Sequence, residues 1–460
     1  MDIIAALQAK LGTDTVQGPD TADFPRHDHD FFVHTPEDVK LLGVCYPRTT
    51  EDVSVILKAC NDAGIKVQPQ GGLTGMAGAG VPLEPCLVLS MERMRTIEEL
   101  DLSASTMTVQ AGVVLEAVQT AADEAGLFFP LDLGGRGTAR IGGNASTNAG
   151  GNRVLRYGMM RELILGVEAV LADGTIVSSL NKMLKNNAGY DTKHLFIGSE
   201  GTLGVITRLV LRLFPKARSV STGIVALKDY AAVLDLLGRA KSGFGGTLAA
   251  FELMWPDFYR LGTTALGRTP PIPHGHGCYV LMETLGTDPE SDLARFEAVI
   301  AEAIEANVAE DAVIAQSSKE STAFWSIRDS PGEWPKVFWP QIAFDVSIPT
   351  GQINDAKEEL HKRLLARWPD VRVIFFGHIA DSNLHLSVKV DEDPMPILEI
   401  DEVVYSTVGE FKGSISAEHG IGILKKEFLH YSRSPAELAL MRTLKQALDP
   451  KGILNPGKVI

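Results

Sequence analysis

The chain has 460 residues, too many for one small core, and length alone suggests about three units, fewer if they are large. A formal charge of −15 argues against nucleic acid as a partner, because phosphate binding needs a basic face, and we read the acidity as solubility. No apolar run approaches the length that spans a bilayer, while a hydrophobic content of 45% leaves ample material for a soluble globular fold. The opening stretch MDIIAALQAKLG lacks the basic start and long apolar core of a signal peptide, and nothing resembles an arginine-rich transit sequence. A cytoplasmic location is therefore expected. Cys45, Cys60, Cys86 and Cys278 are scattered without a CxxC, so they read as reduced packing residues.

From Val44 the pattern is a strand, a helix from roughly Thr50 to Ala63 closed by Gly64, and a second strand, IKVQPQ. That βαβ unit favours a layered domain and runs into Gln70-Gly71-Gly72-Leu73-Thr74-Gly75. Such a loop exposes backbone amides that suit a pyrophosphate. It is neither the GxGxxG of a nicotinamide site nor a GxxxxGK[ST] P-loop, and these residues alone leave a surface turn equally open. A second stretch, PLDLGGRGTARIGGNASTNAGG at 130–151, spends backbone on close approach to something large and polar. A strand, an Asp173-Gly174 turn and another strand precede a third, GYDTKHLFIGSEGTLGVIT. Three glycine-rich segments, none a mononucleotide fingerprint, fit a long cofactor laid across several loops.

Past residue 216 the glycines thin out and strands alternate with amphipathic helices, which predicts an antiparallel sheet covered by helices. His274 and His276 lie in a proline- and glycine-rich loop that reads as solvated. In FGHIADSNLHL, His378 and His385 are seven positions apart and would face opposite ways on one straight strand. They converge only if the chain turns between them, and Ala-Asp-Ser-Asn is a credible turn. Ser416-Ala417-Glu418-His419-Gly420 adds a carboxylate and a third imidazole. Two histidines and one glutamate make an open site for a divalent metal such as zinc, with hydrogen-bonded core histidines as the alternative.

PQGGLTG, IGGNASTNAGG, GYDTKHLFIGSEGTLGVIT, GHIADSNLHL, SAEHGIG and DPKGILNPGK, in order from about Val44 to Ile460, resemble the FAD-dependent D-2-hydroxyacid dehydrogenases. These flavoproteins belong to the vanillyl-alcohol-oxidase (p-cresol methylhydroxylase type) superfamily. The resemblance implies an α+β chain with an FAD-binding domain at 1–215, a cap or substrate domain at 216–415, and a segment at 416–460 returning to the FAD domain. It implies cofactor contacts from Pro69, Gln70, Gly71, Gly72, Leu73, Thr74, Gly75, Pro130, Asp132, Gly142, Gly143, Thr147, Asn148, Gly150, Ile206 and Asn455. Leu73 stands where some relatives tether the flavin through histidine, so non-covalent FAD is expected. His378, His385 and Glu418 match the family's ligands for a divalent metal, and Arg328 its carboxylate-binding arginine. Asn383 matches a substrate contact and His419 the base that takes the hydroxyl proton, with a supporting role beside the metal as its alternative.

The implied activity is oxidation of a D-2-hydroxy acid to the 2-oxo acid by hydride transfer to the flavin. The substrate would be D-2-hydroxyglutarate, D-lactate or a more hydrophobic acid. The acceptor would be a separate partner such as an electron-transfer flavoprotein or a quinone, and the assembly a homodimer. An oxygen-using flavin oxidase without an essential metal and a non-catalytic flavin-fold binding protein are the other readings. Ala343 replaces a lysine that would bind a second carboxylate, and Gly332 a threonine. The intervening Trp334, Phe338, Trp339 and Phe344 favour a smaller or more hydrophobic acid. Ala380 and Ser382 replace two glycines of the turn.

Overall fold

The computed structural model describes residues 2–460, which divide into two compact units. Unit 1 comprises Met1–Gly151, Gly158–Lys216 and Glu418–Ile460; unit 2 comprises Asn152–Tyr157 and Ala217–Ala417.

In unit 1, β1 (Val16–Gln17), β2 (Gly43–Cys45), β3 (Lys66–Gln70) and β4 (Cys86–Ser90) form a sheet in the order β1-β2-β4-β3. β4 runs parallel to both β2 and β3. The expected βαβ unit is present: helix Thr50–Ala63 joins β2 to β3, opened by a Thr49–Asp52 capping box and closed by left-handed Gly64. It buries Val53, Ile56, Leu57 and Cys60, the i, i+3, i+4, i+7 stripe of an amphipathic helix. Next come β5 (Ile97–Asp101), β6 (Thr106–Gln110), β7 (Leu127–Phe128), β8 (Ile164–Val170), β9 (Ile176–Ser179), β10 (Val205–Arg212) and β11 (Phe214–Pro215). Five of these make an antiparallel sheet in the order β5-β6-β10-β8-β9, and β7 pairs with β11. The glycine-rich 130–151 stretch is not all loop: Ile141–Ser146 is a short helix with two glycines. Contact outranks propensity there, since a Cβ on Gly142 would stand 2.6 Å from the Ala111 Cβ.

Unit 2 is one seven-stranded sheet, antiparallel at every pairing: β12 (Ser219–Leu227), β13 (Leu248–Met254), β14 (Cys278–Gly286), β15 (Ala309–Ile314), β16 (Ile342–Ser347), β17 (Arg372–His378) and β18 (Asn383–Lys389). The order is β15-β12-β14-β13-β17-β18-β16. One face packs Ile224, Met254, Tyr279, Leu281 and Phe376 against Phe258, Phe324 and Trp334 of the covering segments. All four cysteines are buried and free, and burial pushes the thiols of Cys60, Cys86 and Cys278 up to about 12. Among the described residues no helix is long and apolar enough to cross a membrane.

Candidate active site

The register of unit 2 gathers a polar row on the face that also carries the aromatic core. Glu252 of β13 lies opposite His378 of β17, and His385 of β18 lies between Phe376 and Asp345. The two histidines sit on adjacent antiparallel strands joined by a tight turn. Ile379–Asp381 forms a 3-10 turn and Ser382 is left-handed at φ 73°. Their ring centroids are 5.3 Å apart.

Each histidine has a buried carboxylate behind it. Nδ1 of His378 bonds Oε1 of Glu252 at 2.7 Å, while Oε2 of Glu252 accepts from Nε of Arg328 at 2.7 Å. Asp345 lies 3.9 Å from Nδ1 of His385 and accepts from Nδ2 of Asn383 at 2.9 Å. Burial opposes ionisation of Glu252, but the Arg328 guanidinium and the hydrogen-bonded His378 beside it overcome it and hold the carboxyl below its usual range. A guanidinium only donates and an ionised carboxylate only accepts, so the tautomer of His378 is fixed. Its Nδ1 carries the proton, and its Nε2 accepts from Nη2 of Arg328 at 2.8 Å. That lone pair is the one a metal would take.

Unit 2 ends at Ala417, whose N–H donates to Asp345 O at 3.3 Å, and Glu418 follows by one peptide bond. His378, His385 and Glu418 each offer one ligand atom, and the three atoms lie within 4.8 Å of one another. The donor set of two imidazoles and one carboxylate, backed by Glu252 and Asp345, fits a divalent cation. Among the described residues two buried acceptors at this hairpin lack partners: Oδ1 of Asn383 and Oδ1 of Asp381. Burial pushes the Asp381 carboxyl up to about 6.

The aromatic segment is placed differently from expectation. Trp334 is fully buried against Phe258 and Phe376, and Phe344 packs on Tyr405 from the opposite sheet face to His385. Only Trp339, at 53% exposure, is open. Helix position decided this, since Trp334 lies in the 3-10 segment Ser330–Lys336, Phe338 follows its cap Val337, and the two rings pack edge to face.

In unit 1 the glycine-rich segments converge. A Cβ on Gly72 would stand 2.1 Å from the carbonyl oxygen of Thr138, and one on Gly71 3.5 Å from the Cα of Gly143, so two of the stretches meet backbone to backbone. The third is tied to the second by Gly198 N–H to Ala145 O and Glu200 N–H to Ser146 O. Leu73 at φ 55° and Asn148 at φ 50° are held in backbone conformations unusual for side chains, a strain characteristic of ligand-binding turns. Among the described residues no amide of 72–77 donates to a protein group. The side chain of Gln70 is committed to His27 and Gly80, which fixes the end of β3 where the loop begins. Asn455 donates through Nδ2 to Glu200 O and Ala79 O, while its buried Oδ1 lacks a partner among the described residues. Pro130, Gly142, Gly150 and Ile206 are buried; Asp132 pairs with Arg136, and Thr147 back-bonds to Gly143 O. Pro69 precedes the loop on β3 and packs near Gly201. Free amides, close-packed glycines and an orphaned amide oxygen fit a dinucleotide diphosphate such as FAD.

Two families match this chain: "FAD binding domain" over residues 41–179 and "FAD linked oxidases, C-terminal domain" over residues 216–459. The chain is 39% identical over 418 residues to a mitochondrial D-2-hydroxyglutarate dehydrogenase of Arabidopsis thaliana, covering 90% of this chain and 74% of that one. It is 37% identical to the mitochondrial D-2-hydroxyglutarate dehydrogenase of Bos taurus, covering 100% and 83%. The chain belongs to the FAD-dependent D-2-hydroxyacid dehydrogenases. The structure of p-cresol methylhydroxylase with substrate bound shares the fold, with a TM-score of 0.77 at 17% identity over 99% of this chain and 96% of that one. The cytoplasmic expectation is corrected by these relatives, which are named as mitochondrial. Charge and reduced cysteines describe the folded body, whereas an address resides in a leader that the fold does not need.

For this dehydrogenase, sequence reasoning missed Glu252. A lone carboxylate inside the apolar strand LAAFELM was the available signal, because a buried charge needs a partner. Arg328 is buried at the end of helix Ser318–Arg328. Replacing Gly72 with alanine should strain unit 1 by about 1–3 kcal/mol and leave most of the purified protein without FAD. The ratio of flavin to protein absorbance after gel filtration checks this.

Proposed function

We propose that this dehydrogenase oxidises a D-2-hydroxy acid on non-covalent FAD, with a divalent cation, zinc by its donor set, on His378, His385 and Glu418. The observation carrying the reading is the set of three ligand atoms within 4.8 Å, two of them backed by buried carboxylates. When bound, FAD supplies the two-electron oxidation and the cation polarises the substrate hydroxyl. Glu252 holds the His378 imidazole with its Nε2 lone pair aimed inward, and Asp345 places a buried carboxylate 3.9 Å from Nδ1 of His385. Arg328 now donates to Nε2 of His378, and were that lone pair taken by a cation, this guanidinium edge would be left for the substrate carboxylate. Asn383, anchored through its Nδ2, turns its Oδ1 to the substrate. His419 takes the hydroxyl proton. It occupies the turn before Ile421 and Gly422, whose amides are gripped by the buried carboxylate of Glu200 at 2.7 and 2.8 Å. Electrons then pass to a separate acceptor such as an electron-transfer flavoprotein or a quinone.

The missing cation at position 343 favours an acid without a second carboxylate, such as D-lactate. Ala343 is exposed on β16, two residues from Asp345 and on the same strand face. Introducing lysine there should shift preference toward D-2-hydroxyglutarate by about tenfold, the worth of one charged hydrogen bond. The kcat/KM ratio for the two acids reads this out. The reading as a whole is tested by anaerobic mixing with D- and L-2-hydroxy acids, with and without chelator. D-specific bleaching of the flavin that chelation abolishes supports it; bleaching at full rate in metal-stripped enzyme sinks it.

A further inference from the structure

A second set of metal-ligating groups lies in unit 1, in the segment DHDFFVH at 28–34. Asp28, His29 and His34 each offer one ligand atom, and these atoms lie within 4.8 Å of one another. The backbone sets this up. His29 and His34 face each other across an antiparallel bridge, with their rings stacked at 5.4 Å and 24°. Nδ1 of His29 lies 2.9 Å from the Asp28 carboxylate. The turn between them is fixed from within: Oδ1 of Asp30 accepts from the amides of Phe32 and Val33, and the Asp30 N–H bonds Val33 O. Below the turn, Thr35 N–H bonds Asp28 O at 2.6 Å. The other Asp30 oxygen accepts from Gly78 N–H at 2.8 Å, so a buried carboxylate anchors the hairpin to the glycine-rich loop.

Two imidazoles in contact beside a carboxylate, on a turn whose geometry is set by other groups, form a preorganised N₂O donor set. We propose that Asp28, His29 and His34 bind a divalent transition cation of the zinc, cobalt or nickel class. Imidazole selects these over calcium and magnesium, which take oxygen ligands. The ligands are half-buried or exposed, so water completes the coordination. The site shares no residue with His378, His385 and Glu418 and does not depend on the reading given for them.

The test is equilibrium dialysis of chelator-stripped holoenzyme, FAD in place, against cobalt(II) or zinc(II). Wild type, Glu418→Gln, His34→Ala and the double variant are compared. Glu418→Gln is expected to retain one equivalent of metal, and adding His34→Ala should weaken that equivalent by more than about tenfold, the loss that removing even an outer partner can cause. Asp28→Asn should act in the same direction as His34→Ala, and both positions are accessible enough for the fold to tolerate them. Superimposable binding curves for wild type and His34→Ala would overturn the proposal, as would a Glu418→Gln enzyme that binds no metal. Glu418→Gln binding as many equivalents as wild type would instead count against the other cluster while leaving this one to the His34 result.

Discussion

Replacing Glu252 with alanine is expected to cost about 3–5 kcal/mol of stability, the penalty for breaking a buried ion pair from one side. Glu252 is 1% exposed and holds both Arg328 and His378 at 2.7 Å, so its loss takes the buried carboxylate away from a buried guanidinium and from an imidazole at once. Denaturant unfolding measures the loss. The double change Glu252→Leu with Arg328→Leu should recover much of it, since removing both charges removes the desolvation debt as well. Independent, additive losses in that cycle would mean the pair is not coupled as drawn. Surface pairs in the same unit, such as Arg260 with Asp257, should cost no more than about 1 kcal/mol.

Replacing His419 with alanine is expected to slow flavin reduction by about 10²- to 10⁴-fold, the usual contribution of a positioned base. FAD and metal contents should both remain near wild type, because neither is assigned to that ring. Rapid mixing under anaerobic conditions gives the rate, and absorbance with metal analysis gives the contents. Loss of the metal together with the rate would reassign His419 to holding Glu418 in place. The pH profile separates the two roles further, since only a base leaves a missing limb in the rate of flavin reduction.

The hairpin bearing His378 and His385 was legible because a turn-forming stretch separated two runs of strand character, and only a turn lets odd-spaced histidines meet. The βαβ unit was legible through its capping residues and closing glycine. Glu252 was not, because its partners lie 76 and 126 positions away and no spacing rule connects them. The helix over Ile141–Ser146 was hidden for a different reason. Glycines that lower helix propensity are there to admit Ala111 and the neighbouring backbone, and only tertiary contact reveals that. The aromatic run around Trp334 read correctly as apolar, but which rings face the core depends on sheet register. A one-residue change of phase moves a ring from one face to the other, as it does Phe344.

The metal site proposed on His378, His385 and Glu418 bears most of the mechanistic weight, and it is tested most directly by crystals of protein purified without chelator. An anomalous-difference map collected above and below the zinc edge would locate the ion. The account predicts a peak about 2.0–2.2 Å from a ring nitrogen of His378, a ring nitrogen of His385 and a carboxylate oxygen of Glu418. Arg328 should then stand clear of Nε2 of His378. Catalytically competent crystals with no anomalous peak at those three side chains would contradict it.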